Sequence, residues 1–146
     1  ELKLRYKNQK DFAQALDLRV DIHLLSVEEI GRISELTQRT NKCTNGQRYD
    51  KMEINNKCKR SQFYSVYAED KFSNLGLVGA MEVEGTTLTL FCLSCRALGR
   101  NVENEMMEFL LQKHCIDNIW FRSTSKNNEI KEKFFEKFPK ATIKYI

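Results

Sequence analysis

Residues 94–101 read SCRALGRN, and several residue types in that stretch can do chemistry. Cys95 offers a thiol, whose ionised form is a nucleophile able to take up an acyl or glyceryl group as a thioester. Arg96 and Arg100 offer guanidinium groups that bind phosphate or carboxylate through charge-assisted hydrogen bonds. Gly99 lets the backbone turn and come close to a ligand. A helix-like segment rich in Glu follows from Val102. The amino end of a helix carries partial positive charge, so cations there are mildly unfavourable and an anion is welcome. Either the arginines point into solvent, or something anionic sits among them. The bland alternative is a surface turn in which Glu103 and Glu105 satisfy the dipole, beside an inert buried thiol at Cys95. Spacing alone leaves both open.

A second polar block runs through Gln38, Arg39, Thr40 and Asn41, with Arg48 and Tyr49 shortly after. It supplies more donors than a helix end needs, and functional groups concentrate on loops. Asn41 alone could be a helix cap. Glu82 and Glu84 are candidate carboxylate bases, with a polar hairpin face as the plainer reading. The histidines, His23 and His114, are both distant from Cys95 in sequence. Cys92 and Cys95 spell C-x-x-C, a spacing used by zinc and dithiol sites. No second pair at that spacing exists among Cys43, Cys58 and Cys115. Positions three apart on a strand also face opposite sides, so no metal is expected.

The elements that must position these groups follow from periodicity. Leu18–Leu24 alternates as a strand, after a short helix over Lys10–Leu16. Ser26 and Glu29 make a capping box before a helix whose Val27, Ile30, Ile33 and Leu36 recur at spacing three. The connector NKCTNGQRY is polar and holds the turn pair Asn45-Gly46. Asp50 with Glu53 repeats the capping signal for a helix to about Lys59. Strands are expected at Phe63–Ala68, Leu77–Val83 and Thr87–Leu93, the last two joined by a short Gly-containing loop. A helix over Val102–Cys115, a strand over Asn118–Arg122, a helix over Asn128–Phe138 ended by Pro139 and a strand over Thr142–Ile146 complete the chain. The order is β-α-α-β-β-β-α-β-α-β. It implies an α/β class (α+β mixed sheet) with an antiparallel meander at its centre.

Composition bounds the function. A chain of 146 residues suits one domain with a real core. With 41% hydrophobic and 30% charged residues it is globular rather than disordered. Apolar runs such as Leu75–Met81 are too short to cross a bilayer, and no charged-then-apolar leader is evident. We therefore expect a cytoplasmic protein with no membrane partner. A net charge of +4 permits an anionic ligand, but the basic tail is interrupted by Glu129, Glu132 and Glu136, so no nucleic-acid partner is expected. The opening ELKLRY, without Met, suits a processed chain or a piece of a longer one.

The order of elements, with R-x-x-G-x at the end of the fourth strand, resembles the GNAT acyltransferase fold. In that family a Q/R-x-x-G-x-G/A turn cradles the pyrophosphate of acyl-CoA, and the pantetheine tail lies between neighbouring strands. Arg96 and Gly99 match its first two marked positions, while Asn101 stands where the family prefers Gly or Ala. A narrower likeness covers most of the chain. LTQRTN (Leu36–Asn41), QRY (Gln47–Tyr49), NLGLVG (Asn74–Gly79), SCRALGRNVE (Ser94–Glu103) and KNNEIKEKFF (Lys126–Phe135) resemble the C-terminal GNAT-like domain of FkbH-like proteins, which belong to the haloacid-dehalogenase (HAD) superfamily. Asn128 matches a GNAT-type Asn near the start of the following helix.

The resemblance implies residues 1–17 as a leading segment or linker helix from a HAD-type phosphatase domain, and 18–146 as the GNAT-like domain. It implies a site for acyl-CoA or a phosphopantetheine arm at Cys95, Arg96, Ala97, Leu98, Gly99, Arg100, Asn101 and Asn128. An acceptor side falls at Gln38, Arg39, Thr40, Asn41, Arg48 and Tyr49. The implied partners are an acyl carrier protein and the phosphatase domain, and the implied setting is polyketide biosynthesis. The phosphatase signature D-x-D-x-T is not found in these 146 residues. The fourth strand, TTLTLFCLSC, lacks the family's common carboxylate base, and Phe134 and Phe135 stand where many members place a Tyr acid. Two readings remain: a module that binds and assists transfer of an acyl or glyceryl group, or a non-catalytic domain that docks a carrier protein or the phosphatase domain. A general amine acetyltransferase has the least residue support.

Overall fold

The structure is a computed structural model that describes residues 11, 14, 16–133 and 135–146. The leading helix expected over Lys10–Leu16 falls largely outside the described residues, as does Phe134. The rest is a mixed α/β domain built on one 7-stranded sheet. Its elements are β1 (Arg19–Leu24), a 3-10 turn (Val27–Glu29), α1 (Ile30–Arg39), β2 (Cys43–Thr44), α2 (Lys51–Lys57), β3 (Gln62–Glu69), β4 (Asn74–Glu84) and β5 (Thr87–Leu93). They continue as α3 (Val102–Lys113), β6 (Asn118–Phe121), α4 (Asn128–Lys133), a 3-10 turn (Phe135–Lys137) and β7 (Thr142–Tyr145). The strands run in the order β1-β3-β4-β5-β6-β7, with β2 added beside β5. The β1, β3, β4 and β5 pairings are antiparallel, while β6 and β7 join in parallel.

Both capping boxes form, but the Ser26 box caps the 3-10 turn: α1 itself starts at Ile30, and Val27, expected on the buried face, is exposed. The Ser26 amide donates to Glu29 Oε1 at 2.9 Å. Asp50 and Glu53 exchange bonds, with the Asp50 amide on Glu53 Oε1 at 3.0 Å and the Glu53 amide on Asp50 Oδ1 at 2.8 Å. Ile30, Ile33 and Leu36 pack with Ile54 against Phe63, Ala80 and Leu90 on one face of the sheet. On the other face Val102, Met106 and Leu110 of α3 and Ile130 of α4 meet Val66, Met81, Phe91 and Phe121. Each fully buried side chain of that size stabilises the fold by about 1.5–3 kcal/mol through apolar area removed from water.

Two further elements differ from expectation. The helix expected to run from Asn128 to Phe138 ends at Lys133 and gives way to the 3-10 turn at Phe135–Lys137. The polar connector contains a strand: Cys43 and Thr44 pair antiparallel with Leu93 and Cys92. That short strand has a large effect on the site.

Candidate functional site

The turn 94–101 lies between β5 and α3, as its sequence requires. Three of its amides, those of Ala97, Leu98 and Gly99, are occupied locally. Ala97 N donates to Ser94 O at 3.0 Å and Leu98 N to Cys95 O at 3.2 Å. Gly99, at φ 84°, donates its amide to Glu103 Oε2 at 3.3 Å. The positive φ explains the glycine. Asn101 also takes a left-handed conformation, at φ 77°, and accepts from Asn104 Nδ2 at 2.7 Å; Asn is among the side chains that tolerate it.

The two arginines part company. Arg96 is exposed. Arg100 donates from Nη1 to Asp70 Oδ2 at 2.9 Å and from Nε to Arg96 O at 3.1 Å. The Asp70 side chain is fully enclosed, and its other oxygen accepts the amides of Phe72 and Ser73 at 2.8 and 3.0 Å. Arg100 thus clamps this turn to the β3–β4 turn. An anion does sit beside one arginine, and it belongs to the chain itself.

Cys95 is exposed, while Cys92, three residues earlier, is wholly buried. Burial pushes the Cys92 thiol up to about 12. All five cysteines are free, and among the described residues no His/Cys/Asp/Glu cluster could hold a metal ion. Cys95, Leu98 and Gly99 line an open cleft of about 740 Å³ together with Lys42, Glu103 and Lys133. Asn128, one turn before Lys133, is exposed and closes its own loop: it accepts from Ser123 Oγ at 2.9 Å and donates to Thr124 O at 3.2 Å.

Between β5 and β6 the chain fills its own opening. The two strands pair only at Thr87 with Asn118 and Leu88 with Ile119. Beyond that point the segment Cys43–Gly46 enters. Asn45 N donates to Phe91 O at 2.9 Å, and Arg122 N donates to Asn45 O at 2.8 Å. Asn45 Nδ2 donates to Thr89 O at 2.9 Å on β5 and to Trp120 O at 3.0 Å on β6, while Oδ1 accepts from Phe91 N at 3.2 Å. Asn127 closes the lower side, donating to Thr44 O at 3.1 Å and Arg122 O at 3.0 Å. Both asparagines are fully buried. At Gly46, φ 92°, an added Cβ would lie 2.4 Å from Arg122 O, so only glycine fits. The residues were visible in the sequence as a turn; their partners were not.

The block expected on the acceptor side is an internal lattice. Arg48 Nη1 donates to Thr37 O at 3.0 Å and to Gln38 O, and Nη2 to Asn41 Oδ1 at 2.9 Å. Ser34 Oγ and Gln38 Nε2 donate to Tyr49 O at 2.8 and 3.2 Å. Thr40 Oγ1 turns back to Leu36 O at 2.7 Å, and Arg39 pairs with Glu35 at 3.3 Å. Tyr49 OH donates to Glu82 Oε1 at 2.8 Å. Glu82 does not sit on a polar hairpin face: it is fully buried and also accepts from Thr89 Oγ1 at 2.6 Å and Ser61 Oγ at 2.7 Å. Burial and the neighbouring Glu82 charge push the Tyr49 phenol far up.

A titratable cluster that sequence reasoning passed over lies at the other edge. His23 Nε2 is 3.1 Å from Glu29 Oε2 and Nδ1 is 3.0 Å from Asp21 Oδ2. Glu29 also accepts from Ser65 Oγ at 2.8 Å and from the Tyr67 hydroxyl, whose ring stacks on His23. Burial alone would raise Glu29, but the bonds from Tyr67, Ser26, Ser65 and His23 outweigh it and hold the carboxyl at about 2. Alternation along β1 puts His23 on the same face as Asp21, yet nothing local signalled Glu29, Ser65 or Tyr67.

No protein-family model and no curated protein matches the chain. Among solved structures it is similar to a variant of spermidine N-acetyltransferase SpeG from Vibrio cholerae, with 14% identity and a TM-score of 0.42 over 62% of this chain and 60% of that one. It is also similar to mutant forms of the spermidine/spermine N-acetyltransferase SpeG of the same organism, with 14% identity and a TM-score of 0.41 over 64% and 63%. The chain thus spans less than two thirds of the length of those proteins.

Proposed function

We propose that this chain is a GNAT-like domain of the FkbH-like type that docks an acyl carrier protein and does not itself catalyse acyl transfer. One observation carries the reading: Asn45 bonds to both β5 and β6, in the gap where a GNAT-like domain would hold a pantetheine tail. A ligand entering there would have to break those bonds in a buried setting, where each unsatisfied polar group costs about 1–3 kcal/mol. The carboxylate nearest in role to a general base, Glu82, is enclosed and hydrogen-bonded at both oxygens. The open cleft beside the 94–101 turn still offers Lys42, which suits the phosphate of a carrier-protein arm at the surface, while Lys133 there is paired with Glu129 at 3.6 Å.

The experiment is titration calorimetry with an acyl carrier protein in its apo and phosphopantetheinylated forms, alongside an acetyl-CoA turnover assay. Binding of the modified carrier with no turnover of acetyl-CoA is expected. Acyl transfer above the uncatalysed rate, or no binding of either carrier form, would overturn the docking role.

A second reading rests on Cys95, which is exposed at the same cleft. Its thiolate would attack the donor thioester carbonyl, forming the Cys95 thioester as the pantetheine thiolate leaves and takes up a proton. Intact-mass measurement after incubation with an acyl or glyceryl thioester separates the two, since docking alone leaves the mass unchanged.

A further inference from the structure

Where β4 turns into β5, the chain gathers cations from two helix ends. Lys59 and Arg60, just after α2, line a recess of about 540 Å³ with Lys113 and His114 at the end of α3, above Ser61 and Gln62. Among the described residues no carboxylate lines it. Among the described residues Lys59, Arg60 and Lys113 make no ion pair, whereas nearby Lys57 is tied to Glu84 at 3.5 Å and Glu82 at 3.8 Å. The lining lysines and Arg60 are exposed.

His114 is held in place at the recess. The Tyr64 hydroxyl donates its proton to Gln62 Oε1 at 3.1 Å and lies 2.8 Å from His114 Nε2. With that proton committed, the hydroxyl accepts from Nε2–H, which leaves Nδ1 as the second polar edge of the ring. Cations at helix carboxyl ends have an ordinary role, because the last carbonyls carry partial negative charge. That role accounts for part of the charge only. Each helix end amounts to about half an elementary charge, so two ends offset roughly one of the cations contributed by Lys59, Arg60 and Lys113. The recess keeps a net charge of about +2, which matches a phosphate dianion. Gly85 bounds it at the hairpin, where an added Cβ would meet nothing within 4 Å, so the mouth is open.

We propose that this recess is a binding site for a phosphoryl group, separate from the cleft beside Cys95. A small phosphometabolite and a phosphorylated protein segment both carry this group, and charge-assisted bonds from Arg60 and the lysines recognise it in either. The experiment titrates the protein with inorganic pyrophosphate and, in a second arm, with a phosphoserine peptide, at low and at physiological salt. His114 is followed by NMR, with His23 as an internal reference. Saturable binding that shifts His114 and leaves His23 in place is expected. Affinity should fall at least tenfold in Arg60→Ala/Lys113→Ala and stay unchanged in Lys126→Ala/Lys140→Ala. Tighter binding of the peptide would identify a phosphoprotein as the source, and tighter binding of pyrophosphate a free phosphometabolite. No saturable shift of His114 at low salt, or equal affinity in the two double variants, would overturn the site.

Discussion

Arg100 Nη1 lies 2.9 Å from Asp70 Oδ2, across 30 residues of sequence, and the Asp70 side chain has no exposed surface while the Arg100 side chain is 36% exposed. The contact is intermediate between a surface pair, worth about 0–1 kcal/mol, and an enclosed one, whose breaking costs about 3–5 kcal/mol. Arg100→Ala should therefore destabilise the domain by about 1–2 kcal/mol in urea unfolding. Arg96→Ala, which removes an exposed side chain, should stay within about 0.5 kcal/mol. Equal effects of the two would show that the clamp carries no weight.

Asn45 holds the strap in the sheet. Asn45→Ala leaves Thr89 O, Trp120 O and Phe91 N without their side-chain partner in a dry setting. A loss of about 2–4 kcal/mol is expected, at about 1–3 kcal/mol for each buried group left unsatisfied and with partial relaxation. Asn45→Asp should cost more, since a carboxylate would face two carbonyl oxygens. Hydrogen exchange offers a second measurement. The amides of Asn45, Phe91 and Arg122 should exchange as slowly as those of β4, and fast exchange at Asn45 would mean that the strap leaves its place readily.

These two cases mark how far the sequence could be read. The Ser26–Glu29 box, the Asp50–Glu53 box and the Ile30, Ile33, Leu36 stripe rest on residues three apart, so local pattern was enough to place α1 and α2. The meander followed from alternation and a short loop. The strap did not, because Asn45 meets partners 44 and 75 positions away, and a Thr-Asn-Gly tripeptide reads locally as a turn and nothing more. Of the two arginines of the 94–101 stretch, only Arg100 meets an anion, and Arg96 is exposed. The anion for Arg100 came from Asp70, whose own sequence context signals only a turn.

Glu82 is expected to act as a structural acceptor. Tyr49→Phe removes the donor at 2.8 Å and leaves Thr89 Oγ1 as the remaining partner of Oε1. The expected cost is about 1.5–3 kcal/mol, the range for a hydrogen bond to a charged group. Glu82→Gln keeps the shape but turns one acceptor into a donor facing hydroxyls. Ser61 can reorient its proton in response, so this variant should fold with a smaller loss than Glu82→Ala. Circular dichroism against denaturant checks the order Glu82→Ala, then Tyr49→Phe, then wild type, in increasing stability.

The His23–Glu29 pair fixes the sign of the pH dependence. Burial lowers the imidazole, but the bonds and charges of Asp21 and Glu29 outweigh it and raise His23 above its ordinary 6.5. The folded state thus binds the imidazolium more tightly than the unfolded chain. That contribution is complete below pH 6.5 and is lost as pH climbs through the raised folded value. Glu29 runs the other way, held at about 2 against an ordinary 4.5. Its contribution is complete above pH 4.5 and disappears as pH falls toward 2. Both are present together between about pH 4.5 and 6.5. His114, which burial lowers, adds a loss on the acid side that the wild type and a His23 variant share, so it cancels in their difference. Urea unfolding of wild type and His23→Gln at pH 5.5, 7 and 8.5 should show the wild-type advantage shrinking toward alkaline pH, with the two curves meeting at the top of the range. A constant difference across that range would mean that His23 acts through packing on Tyr67 and that its charge contributes nothing.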